Sequence, residues 1–305
     1  MRLIQGLALS MVRFALPIGN ASFFARHSST TRLCSTSSSS DDGGKSLCTP
    51  AFNSSLQHAA QAVLTSSFLL MEIAIAAFVI FVGSFIQSSI GFGLAIVAAP
   101  VLFFIDPLYV PAPITISALT LSVANAYSHW RSISFHGLRF AILGRIPGTI
   151  SGGFLLLWIN QQALALWLGI SVLVAVGLSM SNIVFKANGK SLFCAGFLSG
   201  FMGTSSSIGG PPMALVLQHQ ENDFIRANLA AFFVVSCLMS LVMLSSIGRF
   251  GMEHIVISLP LMPATLAGYW LAMRTMHKIS HRNLRRFSLG LCAIAGVAAT
   301  ASYWF

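Results

Sequence analysis

Two short polar segments rich in glycine and serine interrupt the apolar part of the chain. Residues 88–93 read SSIGFG and residues 204–212 read TSSSIGGPP. Each segment leads into an apolar run that predicts a short helix, and proline at a first helical position favours such a start. Helix N-termini present free N–H groups and the positive end of the helix dipole, and serine hydroxyls add donors. Both segments therefore predict an oxyanion site, formed by Ser88, Ser89, Gly91, Gly93, Ser205, Ser206, Ser207, Gly209 and Gly210.

Arg145 is the one charge well inside a long apolar run, and we include it among the predicted substrate-binding residues. It is either a counter-charge to an anionic substrate or a side chain that snorkels to the membrane surface. No apolar run carries an acid in its middle, whereas cation carriers usually keep one there. The sequence thus predicts a small anion as the partner. The acids near the ends of the runs are Glu72, Asp106, Glu221, Asp223 and Glu253.

An intramembrane enzyme is the rival class of function. A serine hydrolase needs an activated serine with a His or Lys base at membrane depth, and the apolar runs hold such a base only near their ends. The five cysteines form no C-x-x-C pair, so neither a metal nor a cofactor is predicted. The glycines at four-residue spacing predict close helix packing instead of a site. They are Gly148, Gly152, Gly196 and Gly200.

These residues must be positioned by membrane helices. Of 305 residues, 55% are hydrophobic and 8% are charged, against about 25% charged in soluble domains. This composition excludes a soluble protein, and it makes the net charge of +10 a signal of membrane topology and not of nucleic-acid binding. Six apolar runs, starting at residues 109, 137, 163, 224, 252 and 287, have the length that a span needs.

The polar segments belong to a tandem duplication. Residues 88–91 align with residues 206–209 at an offset of 118, and the same offset pairs Arg131 with Arg249 and His136 with His254. We predict one membrane repeat over residues 71–187 and a second over residues 190–305.

Charge predicts how the repeats are oriented. An apolar run flanks each polar segment on either side, and we call the two runs a broken pair. If each broken pair is a re-entrant hairpin, each repeat crosses three times. Leaving out the leader and Arg145, ten basic residues then lie on one face with Arg249 alone on the other. The repeats are then inverted, as in many secondary transporters. The predicted fold is thus an all-α polytopic membrane protein, with seven or eight helices by conventional counting.

The first 66 residues have a different composition. Residues 28–40 contain ten Ser or Thr, which predicts disorder, and the first 33 residues carry four arginines and no acid, as in a mitochondrial transit peptide. Alternatively the start is mis-assigned and Met71 begins the protein.

Several motifs together resemble the sulfite exporter TauE/SafE family of permeases over about residues 71–305. They are IQSSIGFG at 86–93, Ala99-Pro100, GRIPG at 144–148 and GTSSSIGGPP at 203–212. The resemblance implies an inner-membrane transporter that exports a small sulfur- or carbon-containing anion, such as sulfite or an organosulfonate. A mitochondrial membrane is the alternative if the leader is a transit peptide, and an anion channel is the alternative mechanism.

Overall fold

The structure is a computed structural model that describes residues 51–180, 188–217, 222–275 and 281–301. Within these ranges it contains eleven α-helices, two 3-10 turns (Pro107–Tyr109 and Trp130–Ser132) and no strand. Residues 57–305 form one compact unit, to which the description below applies. The helices are α1 (Ala51–Ile90), α2 (Leu94–Ile105), α3 (Ala112–Ser128), α4 (Phe135–Trp158), α5 (Gln161–Met180), α6 (Gly189–Ser206), α7 (Gly210–Leu217), α8 (Asn222–Ser246), α9 (Met252–Ser258), α10 (Leu261–Thr275) and α11 (His281–Ala301).

The predicted fold class, an all-α polytopic membrane protein, is confirmed. Four helical segments in the described ranges are long and apolar enough to cross a membrane: Leu70–Ile90, Leu138–Trp158, Gln162–Met180 and Phe224–Ser246. We expected seven or eight membrane-spanning helices, but the criterion of length and apolar composition finds four in the described ranges, or five if the bent pair counts as one span. Helix α3 has 17 residues, and the apolar run at 252–273 forms two helices, α9 and α10, bent by 41° around Leu259 and Pro260. Proline removes a backbone donor and bends the chain.

The predicted leader falls only partly within the described residues. Residues 1–50 lie outside them, and residues 51–66 belong to α1, which continues through Met71 without a break. The end of the first predicted repeat, residues 181–187, and the last four residues of the chain also lie outside.

The second broken pair, α6 and α7, begins and ends at the same end of α4. Helices α4 and α6 run parallel, because Gly144, Gly148 and Gly152 face Phe193, Phe197 and Phe201 in that order. Gly189, the first residue of α6, faces Phe140 near the start of α4. At the start of α8, Asn228 accepts a hydrogen bond from the N–H of Ser134, the residue before α4.

The first broken pair, α1 and α2, enters from the opposite end. Asn228 also contacts the carbonyl of Ser132 just beyond α3, so α3 starts at the end away from the start of α8. Burial, and then the charges of Asp106 and Glu72, raise the pKa of Tyr109. Helix α2 ends at Ile105, just before Tyr109 and α3, so its end and the part of α1 near Glu72 lie at the end where α3 starts. The two pairs therefore enter from opposite ends, as inverted repeats require. The repeat boundaries, 71–187 and 190–305, remain a prediction.

Charge is divided between the two ends of the described structure. We call the end where α4, α6 and α8 begin the basic end. The basic residues at this end whose side chains the structure describes include Arg131, Arg139, Lys190, Arg226 and Arg274. At the opposite end lie Glu72, Asp106, Glu253 and Arg249, whose guanidinium donates to the carbonyl of Leu156 at 3.1 Å.

Glycines bring α4 and α6 into backbone contact. A Cβ atom on Gly144, Gly148 or Gly196 would lie 2.0–2.1 Å from a carbonyl oxygen of the other helix, far inside van der Waals contact. Small residues permit this approach in membranes, where packing and close C–H···O contacts replace the hydrophobic effect between helices. The packing role predicted for Gly148, Gly152, Gly196 and Gly200 is confirmed.

We expect Gly148→Val to destabilise the protein by at least the roughly 1–3 kcal/mol typical of an overpacked core. The added side chain would push α4 away from the carbonyl oxygen of Phe197. The measurement is the thermal midpoint of purified protein in detergent. Gly177→Ala in α5 is the control, because its new Cβ meets nothing within 4 Å. Equal midpoints for the two variants would contradict a contact role for Gly148.

Candidate functional site

A small central cavity lies where the two broken pairs meet α3, α4 and α8. Its volume is about 40 Å³. Gly93 from the first break and Ser207, Gly209 and Gly210 from the second contribute to its wall, and so does Arg145. The remaining lining residues are Gln87, Ala95, Ile96, Thr115, Ala118, Gly203, Ile208, Phe233, Ser236, Cys237 and Ser240.

Arg145 is held in the third turn of α4 by neighbours on α6 and α8. Its side chain is 3% exposed. The Nη1 group donates to the Ser199 hydroxyl at 2.9 Å, and Nη2 donates to the Ser240 hydroxyl at 3.1 Å and to the Ser236 carbonyl at 3.2 Å. The guanidinium carbon also lies 5.5 Å from the centroid of the Phe232 ring. This burial overturns the snorkelling alternative, because the guanidinium stays inside the helix bundle.

The positive charge of Arg145 has only neutral partners among the described residues. Each oxygen that accepts from it belongs to a serine, and its Nε–H group is buried without an acceptor. The Ser236 hydroxyl, on the same cavity, is also buried without a partner. Moving a charged group from water into a protein interior costs on the order of several kcal/mol, even after the surrounding protein relaxes. A nearby opposite charge offsets that cost best. The cavity is therefore electrostatically suited to an anion.

The first break is shaped by glycine and by Gln87. Gly91 and Gly93 have φ angles of 101° and 132°, which residues with a side chain rarely adopt. The Gln87 side-chain oxygen accepts the N–H of Leu94, the first residue of α2, at 3.1 Å. One donor that we expected to be open to an anion is therefore already used, although the dipole of α2 still points its positive end at the cavity.

The second break offers fewer backbone donors than expected. Helix α7 starts at Gly210 and continues with Pro211 and Pro212, which have no N–H. The Ser199 hydroxyl donates to the carbonyl of Gly209 at 2.5 Å, which ties the break to the residue that binds Arg145. The strongest donor of the cavity is thus the Arg145 guanidinium and not a helix terminus.

The predicted site residues fall into three groups. Gly93, Ser207, Gly209, Gly210 and Arg145 line the central cavity. Ser88 and Gly91 line a smaller cavity beside it.

Ser89, Ser205 and Ser206 line neither cavity. Their hydroxyls donate to carbonyls four residues earlier in their own helices, at 2.8, 2.6 and 2.8 Å. The Ser205 hydroxyl also accepts the indole N–H of Trp167 at 2.9 Å. Serine inside a helix commonly makes such a bond to its own backbone. These three serines can do so because α1 and α6 continue into the polar segments, as far as Ile90 and Ser206.

Sequence reasoning missed several polar residues of the cavity. Ser236 and Ser240 are one turn apart in α8, and with Asn228 they form a polar stripe at multiples of four residues. That stripe in an apolar span was a detectable signal. Gln87 directly precedes the first serine of the break. Thr115 and Cys237 carried no signal, because single small polar residues are common in membrane helices.

Comparisons with known proteins identify the family of the chain. Within the described ranges, no group of His, Cys, Asp and Glu side chains could hold a metal ion. Neither a curated protein nor a solved structure matches the chain. The model of the sulfite exporter TauE/SafE family matches residues 75–299, a range that includes both breaks and Arg145. Because this match covers well over half of the sequence, the chain belongs to the sulfite exporter TauE/SafE family of membrane transporters.

Proposed function

We propose that the protein exports a small oxyanion, such as sulfite or an organosulfonate, by alternating access through the central cavity. The observation that carries this proposal is the buried Arg145 guanidinium, which has only neutral partners among the described residues. A planar guanidinium presents donors in a fork that fits the oxygens of an oxyanion. The Nε–H group of Arg145 and the Ser236 hydroxyl remain available as further donors.

The dimensions of the cavity favour a small substrate. The cavity has a volume of about 40 Å³, and glycines form part of its wall. The space beside the Arg145 guanidinium depends on one of them, Gly203. A Cβ atom on Gly203 would lie 2.9 Å from Nη2 of Arg145. A substrate of a few heavy atoms, such as sulfite or a short sulfonate or carboxylate, is therefore favoured over a bulky anion.

The two broken pairs supply a route to alternating access. They enter from opposite ends and meet at the cavity, and Gly91 and Gly93 of the first break adopt backbone angles that favour glycine. Movement of one pair against the other would open the cavity to one side at a time. The basic end corresponds to the cytoplasmic face by the positive-inside rule. We place the protein in a bacterial inner membrane, with a mitochondrial membrane as the alternative.

Arg145→Gln is expected to reduce anion flux about 100-fold, within the range for losing a buried, hydrogen-bonded charge. The measurement is uptake of labelled sulfite by proteoliposomes that contain purified protein. Arg139→Gln is the matched control, because Arg139 is an exposed arginine on the same helix and lies outside both cavities. Flux at the normal level in Arg145→Gln, with the protein folded, would refute the proposed site.

Cys237 provides a native probe of the cavity. An anionic methanethiosulfonate reagent should inhibit transport by modifying this thiol when alternating access opens the cavity to one side, and excess methanesulfonate should slow the inhibition at least several-fold by occupying the site. Cys237→Ser should be resistant, whereas Cys194→Ser should stay sensitive, because Cys194 is exposed and lies away from the cavity. Equal inhibition of the Cys237→Ser variant would place the binding site elsewhere.

A counterflow assay identifies the substrate and the mechanism together. Vesicles loaded with sulfite, sulfate, methanesulfonate or acetate are tested for uptake of labelled sulfite against its gradient. We expect counterflow with the accepted anions only. Uncoupled single-channel conductance without counterflow would instead establish an anion channel.

A further inference from the structure

A second, smaller cavity lies beside the central one. Its volume is about 10 Å³. Gln87 and Phe233 line both cavities, so these two side chains form the partition between them. The other lining residues of the second cavity are Ser88, Gly91, Ser122, Asn125, Arg226 and Ala230.

The second cavity also contains a buried arginine. Arg226 is 7% exposed, and its Nη2 group donates to the carbonyl of Ser89 at 2.9 Å. Ser89 lies in the last turn of α1, where carbonyls lack partners within the helix and the dipole is negative. Arg226 therefore links the second cavity to the end of the first broken helix.

An unsatisfied hydroxyl adds a donor for a ligand. The Ser88 side chain is 1% exposed, and its hydroxyl is buried without a hydrogen-bond partner on the wall of this cavity. The same combination, a buried guanidinium with a buried unpartnered hydroxyl nearby, marks the central cavity at Arg145 and Ser236. Two adjacent chambers thus each place a buried guanidinium near an unpartnered hydroxyl.

The two chambers follow one another along α8. Arg226 lies in its second turn at the basic end, and Ser236, whose carbonyl binds Arg145, follows ten residues later. At 1.5 Å per residue the two positions are about 15 Å apart along the helix axis. Phe233 lies between them, on the partition. An anion that enters from the basic end would meet Arg226 before Arg145.

We propose that Arg226 and Ser88 form a second anion-binding station between the basic end and the central cavity, with Phe233 and Gln87 as the gate between the stations. This inference rests on the proposed transport function. The second cavity, at about 10 Å³, has room for about one water molecule as it stands. An anion therefore enters by displacing the Ser89 carbonyl from the Arg226 guanidinium, which frees the last turn of α1 and enlarges the cavity. Binding at the outer station thereby loosens the first break, which also carries Gln87 of the gate.

The test measures the KM for sulfite separately on the two sides of the membrane. Proteoliposomes with the protein in a single orientation are supplied with labelled sulfite either at the basic end or at the opposite end. For Arg226→Gln we expect KM at the basic end to rise at least tenfold, while KM at the opposite end changes less than twofold. Arg226→Lys should recover part of the affinity, because lysine restores the positive charge but not the paired N–H donors of the planar guanidinium. Arg139→Gln, which removes an equal charge from the same end, should match the wild type.

Ser88→Ala tests the station without disturbing the link between Arg226 and Ser89. Its hydroxyl makes no hydrogen bond, so stability should be unchanged while KM at the basic end rises several-fold. Phe233→Ala should open the gate and produce uncoupled anion leak. Equal changes of KM on both sides in the Arg226 and Ser88 variants, or no change in either, would overturn the second station.

The outcomes also distinguish this inference from the proposed function. If wild-type protein moves none of the anions, the transport function itself fails. If the wild type transports and Arg145→Gln abolishes flux, yet Arg226→Gln and Ser88→Ala retain normal KM on both sides, only the second station fails.

Discussion

Backbone contact between α4 and α6 is the constraint on which the central cavity depends. Gly144 and Gly148 of one helix and Gly196 of the other leave no space for a Cβ atom, so the helices meet carbonyl to glycine over several turns. This contact sets the depth at which Arg145 faces Ser199. Ser199 in turn holds the second break, because its hydroxyl donates to the carbonyl of Gly209. A larger separation of α4 and α6 would lose the hydrogen bond between Arg145 and Ser199.

A buried positive charge follows from that geometry. The acceptors around Arg145 are two serine hydroxyls and one carbonyl, which solvate the guanidinium without neutralising it. Such an arrangement stabilises the arginine less than a carboxylate would, and an ion pair with a protein acid would compete with an anionic ligand. Under the proposed function, the site gives up stability in favour of anion binding, as polar groups at functional sites in membranes commonly do.

Much of the fold could be predicted from composition and periodicity. Long apolar runs specified most of the helices, and the two serine-rich breaks specified where helices are interrupted. The bend between α9 and α10 and the 17 residues of α3 were not predicted, because hydropathy measures apolar length and not helix direction. Pro260 was a visible signal for the bend. It was weak, since Pro147 lies within the continuous helix α4.

The sequence by itself determined the class of protein, the positions of the breaks and the absence of acids from the middle of the apolar runs. Only the tertiary structure decided which of the nominated serines face a cavity. Ser207 lies on the central cavity, whereas Ser205 and Ser206 turn their hydroxyls to their own helix, and one residue of register separates these outcomes. The tertiary structure also brought Ser236 and Ser240 to Arg145 across about 90 residues of chain. These contacts are set by the rotation of each helix about its axis and by packing between residues far apart in the chain. A local pattern of residue types contains no information about either.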